Sequence, residues 1–257
     1  MNISTLQHRI EAANAEGRIA RIPFITAGFP DRKRFLTALR ELDENGADII
    51  EIGVPFSDPV ADGPVVEDAS RRALEDGISL DWIMKTLVKL SPRPRAGLVL
   101  MGYYNPFLQY GLKRLADEAA EAGVQGFIVP DLPLGEDVPL RATLGEKGLD
   151  LIALVGPNTG DDRMADYSAQ ASGYVYVVSI MGTTGVRQGL PPEAARTVAR
   201  ARRAFKLPVA LGFGIQNPGQ LEGLTEPPHA VVFGSALLRH LDAGGSAAEF
   251  MASWKHA

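Results

Sequence analysis

Eight short apolar runs recur along the chain, at residues 19–26, 47–53, 96–102, 126–130, 150–155, 173–179, 208–214 and 230–234, with helical patterns between them. A short β-rich run bounded by turn residues and followed by a 3.6-residue apolar period marks a βα unit. Eight such units are what a (β/α)8 barrel requires. The expected fold is α/β, a single-domain (β/α)8 TIM barrel over residues 1–257, with an extra N-terminal helix and extra helices in the βα loops. A doubly wound open sheet is the alternative, because alternation of strands and helices does not distinguish an open sheet from a closed ring.

The helix ends are readable. Asp31 can cap a helix over 32–45 that stops at Gly46, and Pro192 sits in the first turn of a segment running to Phe205. Residues 107–122 place Leu108, Leu112, Leu115 and Ala119 at helical spacing before Gly123. The long gap between the second and third strands predicts two helices, 65–76 and 80–90, split by Gly77 and capped at Ser79. At the N-terminus Ile3, Leu6 and Ile10 form one helical stripe, without the apolar core of a secretory signal.

Composition excludes several functions. No apolar run approaches the roughly 18 residues of a membrane span. The absence of cysteine excludes disulfides, thiolate catalysis and zinc–thiolate sites, and fits a cytoplasmic protein. With a net charge of −5, the basic run over 196–206 reads as a solvated helix face, not a nucleic-acid site.

Barrels carry function at the C-terminal ends of their strands. Three carboxylates fall after strand two, in Glu51-Ile-Gly-Val-Pro-Phe-Ser-Asp-Pro-Val-Ala-Asp-Gly-Pro64. Glu51 lies inside an Ile-rich strand, pointing to the face shared by Ile49 and Gly53, and a buried carboxylate there needs a reason. On its own it reads equally as a structural acid bonding backbone amides or as a functional one, and Asp58 and Asp62 on their own read as turn formers. Glycine turns follow strands six, seven and eight, and Gly234-Ser235-Ala236 opens a helix; this arrangement suits an anion, above all a phosphate. None of His8, His229, His240 and His256 falls at a strand top, so no histidine metal site and no Ser-His-Asp arrangement is expected. The lysines fall on helices or before strands, which argues against a Schiff base. Carboxylates, tyrosines and a backbone anion site remain, and they suit general acid–base chemistry.

Over nearly its whole length the chain resembles the tryptophan synthase alpha chain family. The resemblance rests on Ile22-Pro-Phe-Ile-Thr-Ala-Gly28, the Glu51–Pro64 segment, Leu100-Met-Gly-Tyr-Tyr-Asn-Pro106, Gly126-Phe-Ile-Val-Pro-Asp-Leu-Pro133, Gly173-Tyr-Val-Tyr176, Gly182-Thr-Thr-Gly185, Gly212-Phe-Gly-Ile215 and Gly234-Ser-Ala236. It implies a lyase that cleaves indole-3-glycerol phosphate to indole and glyceraldehyde 3-phosphate. Catalysis would fall to Glu51 (acid, then base), Asp62 (acceptor for the indole N–H) and Tyr176 (beside the glycerol hydroxyls). Phe24 and Leu100 would line the indole pocket, and Gly185, Gly214, Gly234 and Ser235 would hold the phosphate. Thr184 would meet Asp62 when a lid over 181–189 closes. The resemblance implies no metal or cofactor in this chain. Its partner would be a beta chain that carries pyridoxal phosphate (PLP) and receives the indole, in an α2β2 heterotetramer. The alternatives are a stand-alone indole-3-glycerol phosphate lyase, a sugar-phosphate isomerase, and a non-catalytic phosphate-binding barrel that activates a partner.

Overall fold

The computed structural model describes residues 4–178, 190, 192–212, 214–221, 224 and 226–254. Every strand pair in it is parallel, and the hydrogen-bonded order is β5-β4-β3-β2-β1-β9-β8-β7-β6. The strands are β1 (Ala20–Thr26), β2 (Ile49–Gly53), β3 (Gly97–Met101), β4 (Val124–Ile128), β5 (Asp150–Leu151), β6 (Ala153–Val155), β7 (Val175–Val178), β8 (Val209–Gly212) and β9 (Ala230–Phe233). Only Ile152 separates β5 from β6. The first of these pairs with β4 and the second with β7, so together they are the fifth barrel strand, bent at one residue. The ring closes through that bend, and the open-sheet alternative falls away.

The helices follow the expected alternation. Those before β4 are α1 (Thr5–Ala15), α2 (Arg32–Glu44), α3 (Pro64–Glu75), α4 (Leu80–Val88), α5 (Tyr104–Tyr110) and α6 (Leu112–Glu121). The rest are α7 (Val138–Gly145), α8 (Asp161–Gln170), α9 (Pro192–Ala204), α10 (Ser235–Asp242) and α11 (Ala247–Ala252). Asp31 caps α2 by accepting from the Arg34 amide at 2.9 Å, and Ser79 caps α4. The single helix expected over 107–122 is instead two. Gly111, at φ +90 and ψ 117, ends α5 and starts α6, a backbone turn that side-chain periodicity does not reveal.

Alternation along each strand divides the core into two layers. Ala20, Ile22 and Phe24 of β1, Ile49 of β2, Val99 and Met101 of β3, and Tyr176 of β7 fill the lumen. Ile25, Ile50, Leu98, Leu100, Val175 and Val209 face the helices, where Trp254 stacks on Phe233 at 4.2 Å. The lumen is plugged from below by α1, whose Leu6, Ile10 and Ala13 join the inner cluster. Arg18 locks that end with a fork to Asp48, at 2.7 and 2.8 Å, while Asp48 also accepts from the Arg21 amide. His229 belongs to the same bottom face, where its Nδ1 accepts from the Val209 amide and its carbonyl from Asn14. One end of the barrel is therefore sealed, and chemistry is confined to the other.

Ile10 is fully buried against the lumen floor. Ile10→Ala is expected to lower stability by about 2–5 kcal/mol, read by urea denaturation. A loss below about 0.5 kcal/mol would show that the helix packs loosely under the barrel.

Candidate active site

The middle of β2 supplies the first acid. Glu51 shares the inward face with Ile49 and is 0% exposed. Its Oε1 accepts a hydrogen bond from the Tyr174 hydroxyl at 3.0 Å, and its Oε2 has no partner among the described residues. Burial pushes the carboxyl up to about 8, against a weaker downward pull from the Tyr174 bond. At neutral pH the group is therefore a neutral acid with a proton to give.

The second acid sits on the bend that leads into α3. Asp62 is half-buried, and its amide donates to the Pro59 carbonyl at 3.3 Å. Burial pushes its carboxyl up to about 6; the Tyr103 hydroxyl opposes the rise and Glu67 adds to it. A carboxyl group on β2 and another on the bend after it thus take different protonation states near neutral pH, the arrangement that separates an acid from an anionic acceptor.

Tyr176 joins them. It lies on β7 with Leu154 and Ala210 as register partners, and it points into the lumen. Burial keeps its phenol protonated, and Asp62, joined by Glu51 once that group ionises, adds to the effect, so the three groups share one field. Gly212 on β8 makes room for the ring, since a side chain there would run into Tyr176. Phe24 also faces the lumen, as the register partner of Glu51. Its ring packs over Gly53 and Gly234, and a Cβ on Gly234 would come within 2.9 Å of it.

Leu100 requires a correction. It lies in the outer layer with Leu98 and Phe107, and the inward residues of β3 are Val99 and Met101. The alternation rule that turns Glu51 inward turns Leu100 outward, and Met101 takes the place expected of it. Gly214 and Gly234 follow the adjacent strands β8 and β9. Gly214 adopts φ +78, a conformation that side chains resist. Gly234 is the N-cap of α10 and Ser235 its first residue, so first-turn amides of that helix face the barrel mouth. Thr184 and Gly185, with the rest of the 181–189 segment, lie outside the described residues.

Two tyrosines were not singled out from the sequence. Tyr174, which hydrogen-bonds Glu51, is two residues before Tyr176 and so on the same face; strand periodicity carried that signal. Tyr103, two residues past β3 at the N-cap of α5, contacts the Asp62 bend, a pairing that only the fold brings about. A cavity of about 380 Å³ opens beside the mouth, between the ends of β4 and β6 and the helices α7 and α8. Pro130, Asp131, Leu154 and Tyr167 line it, and neither Glu51 nor Asp62 does. Among the described residues no three His, Asp or Glu side chains are grouped to hold a metal ion.

Comparison with known proteins bears out the family resemblance. Residues 10–255 match the family described as the tryptophan synthase alpha chain. The tryptophan synthase alpha chain of Nitratidesulfovibrio vulgaris (strain DP4) is 66% identical over 254 residues, covering 99% of each chain. That of Chloroflexus aurantiacus is 41% identical over 241 residues, covering 93% of this chain and 91% of the relative. Among solved structures, Mycobacterium tuberculosis tryptophan synthase superposes with a TM-score of 0.89 at 33% identity, covering 98% of this chain and 96% of the other. The chain belongs to the tryptophan synthase alpha chain family, and the lyase expected from its motifs is the enzyme of that family.

Proposed function

We propose that this single barrel domain, residues 1–257, cleaves indole-3-glycerol phosphate by a retro-aldol reaction. The observation that carries the reading is the neutral, buried Glu51, one oxygen held by Tyr174 and the other without a partner among the described residues, with Tyr176 in the same lumen and Asp62 on the bend that follows its strand. Glu51 gives its proton to C3 of the indole ring, forming a cationic indolenine and weakening the bond to the glycerol side chain. The ionised Asp62 accepts the indole N–H and stabilises the charge that develops there, an effect typically worth a few kcal/mol. As the carbon–carbon bond breaks, its electrons return to the ring and the adjacent hydroxyl becomes an aldehyde. The proton from that hydroxyl goes to Glu51, which is thereby restored.

The remaining residues bind. Phe24 lies against the ring, and Tyr176 meets the glycerol hydroxyls. Amides at Gly214, Gly234 and Ser235 hold the phosphate at the N-terminus of α10, with Gly185 completing the site and Thr184 closing on Asp62. No cofactor is required in this chain. The beta chain, carrying PLP, takes up the indole within an α2β2 assembly, and the pair work in the cytoplasm. The exposed Val60, at 77%, on the bend beside Phe56 suits such a contact.

Glu51→Gln, which keeps the Tyr174 bond but cannot give a proton, is expected to cut indole release by roughly 10²–10⁴-fold with substrate affinity nearly unchanged. Indole production by purified chain, with and without beta chain, measures it; substantial residual turnover would refute the acid–base role. The pH profile follows from the two acids. Asp62 must be ionised, so kcat/KM rises through about 6, and Glu51 must be protonated, so it falls through about 8. A rate still climbing at pH 9 would contradict the assignment.

Stability should move the other way. The folded carboxyl of Glu51 holds its proton to about 8 while the unfolded one releases it near the ordinary value of about 4.3. The native state is therefore stabilised below the unfolded value and loses that advantage as pH rises toward 8. Glu51→Gln does not titrate, so it is expected to be more stable than the parent at pH 8, by an amount on the order of a few kcal/mol in urea. Equal denaturation midpoints at pH 5 and pH 8 for both proteins would rule this out.

A further inference from the structure

The bend that carries Asp62 is tied to the barrel by a group the reaction above does not use. Its residues are exposed or half-buried, and within the bend the Asp62 amide reaches Pro59 only at 3.3 Å. The firm anchor is the Ala61 amide, which donates to the Tyr103 hydroxyl at 3.0 Å. Tyr103 itself is well fixed. It is 4% exposed, its ring packs on Phe56 with centroids 5.3 Å apart, and the backbone on either side is pinned. The Gly102 amide donates to the Ile128 carbonyl at 3.0 Å, and the Tyr104 amide to Asp131 Oδ1 at 2.9 Å.

A phenol has one proton. With a lone pair engaged by the Ala61 amide, the Tyr103 hydroxyl keeps its proton for another acceptor, and the carboxyl of the next residue, Asp62, is close enough for the two groups to shift each other's ionisation. We propose that Tyr103 is the positioning residue for Asp62, a post at the end of the third strand that holds the bend by its backbone and aims the carboxylate by an O–H bond. The inference rests on the reading of Asp62 as acceptor for the indole N–H. A charge-assisted bond fixes one carboxylate oxygen and leaves the other for the substrate. A bend without it would sample positions from which the indole nitrogen is out of reach.

The electrostatics support the geometry. Burial and the nearby Asp62 charge both raise the Tyr103 phenol above its ordinary value, so it remains a donor at every working pH. The groups facing Asp62 are Glu67 on α3, which disfavours its charge, and Tyr176 on β7; Asp131, after β4, acts on Tyr103 itself. Among the described residues that act on the Asp62 carboxyl, Tyr103 is the one that favours its charged form.

Tyr103→Phe keeps the ring and its contact with Phe56 and deletes only the hydroxyl. With beta chain present, kcat for indole release is expected to fall about tenfold while KM changes less than about twofold. The acid limb of kcat/KM should move to higher pH, because the bond that favours ionised Asp62 is gone, and the melting temperature should stay within about two degrees. In an Asp62→Asn background the same substitution should cost little more, because Tyr103 acts through that carboxylate. An unshifted acid limb, a full tenfold loss persisting beside Asp62→Asn, or a loss explained by a lower melting temperature would each overturn the proposal. Asp62→Asn alone keeping the parental rate would instead sink the role of Asp62, which separates failure of that reading from failure of this one.

Discussion

Everything at the mouth of this barrel depends on one uncomfortable burial, the carboxyl of Glu51 enclosed among Ile49, Phe24 and two tyrosines. In water the group would ionise, and in the lumen it keeps its proton because burial strips it of water and, among the described residues, only the Tyr174 hydroxyl bonds to it. A salt bridge would have made folding easier and removed the acid. The sealed floor sets the same condition from below. With Leu6 and Ile10 packed under the lumen, Glu51 stays out of water and keeps its shift.

Much of this was legible because it follows from periods of two and 3.6. Strand alternation turned Glu51 inward, whereas Tyr176 was named from the family resemblance; glycine and serine stops marked the helix ends of α2 and α4. Where the sequence reading went wrong, the physics was of another kind. Leu100 was read by its place in a motif and not by its parity on the strand, which sends it outward. The break at Gly111 depends on a backbone angle, and leucine spacing runs through it unchanged. The link between Tyr103 and Ala61 joins residues 42 positions apart and arises only when β2 and β3 pair. Ring closure at Ile152 is likewise a matter of pairing, for which local composition carries no signal.

The two acids also differ in how they are held. Glu51 is part of a strand paired on both sides, to β1 and β3, and its position is as fixed as the sheet. Asp62 rides on a bend whose ties are a few hydrogen bonds and one ring contact. Hydrogen-bonded sheet opens only with global unfolding, whereas such a bend can move at little cost.

That difference decides which acid a bound protein can influence. Phe56 packs against Tyr103, and Val60, at 77% exposure, stands on the solvent side of the same bend. A surface settling on these residues restrains the bend without touching the barrel, and so changes the population of conformations in which Asp62 faces the lumen. Glu51 lies beyond such influence, because shifting it would mean disturbing paired strands. On the proposed roles of the two acids, proton donation is built into the fold, while stabilisation of the charged intermediate is the adjustable half of the chemistry, and control over the reaction enters through Asp62.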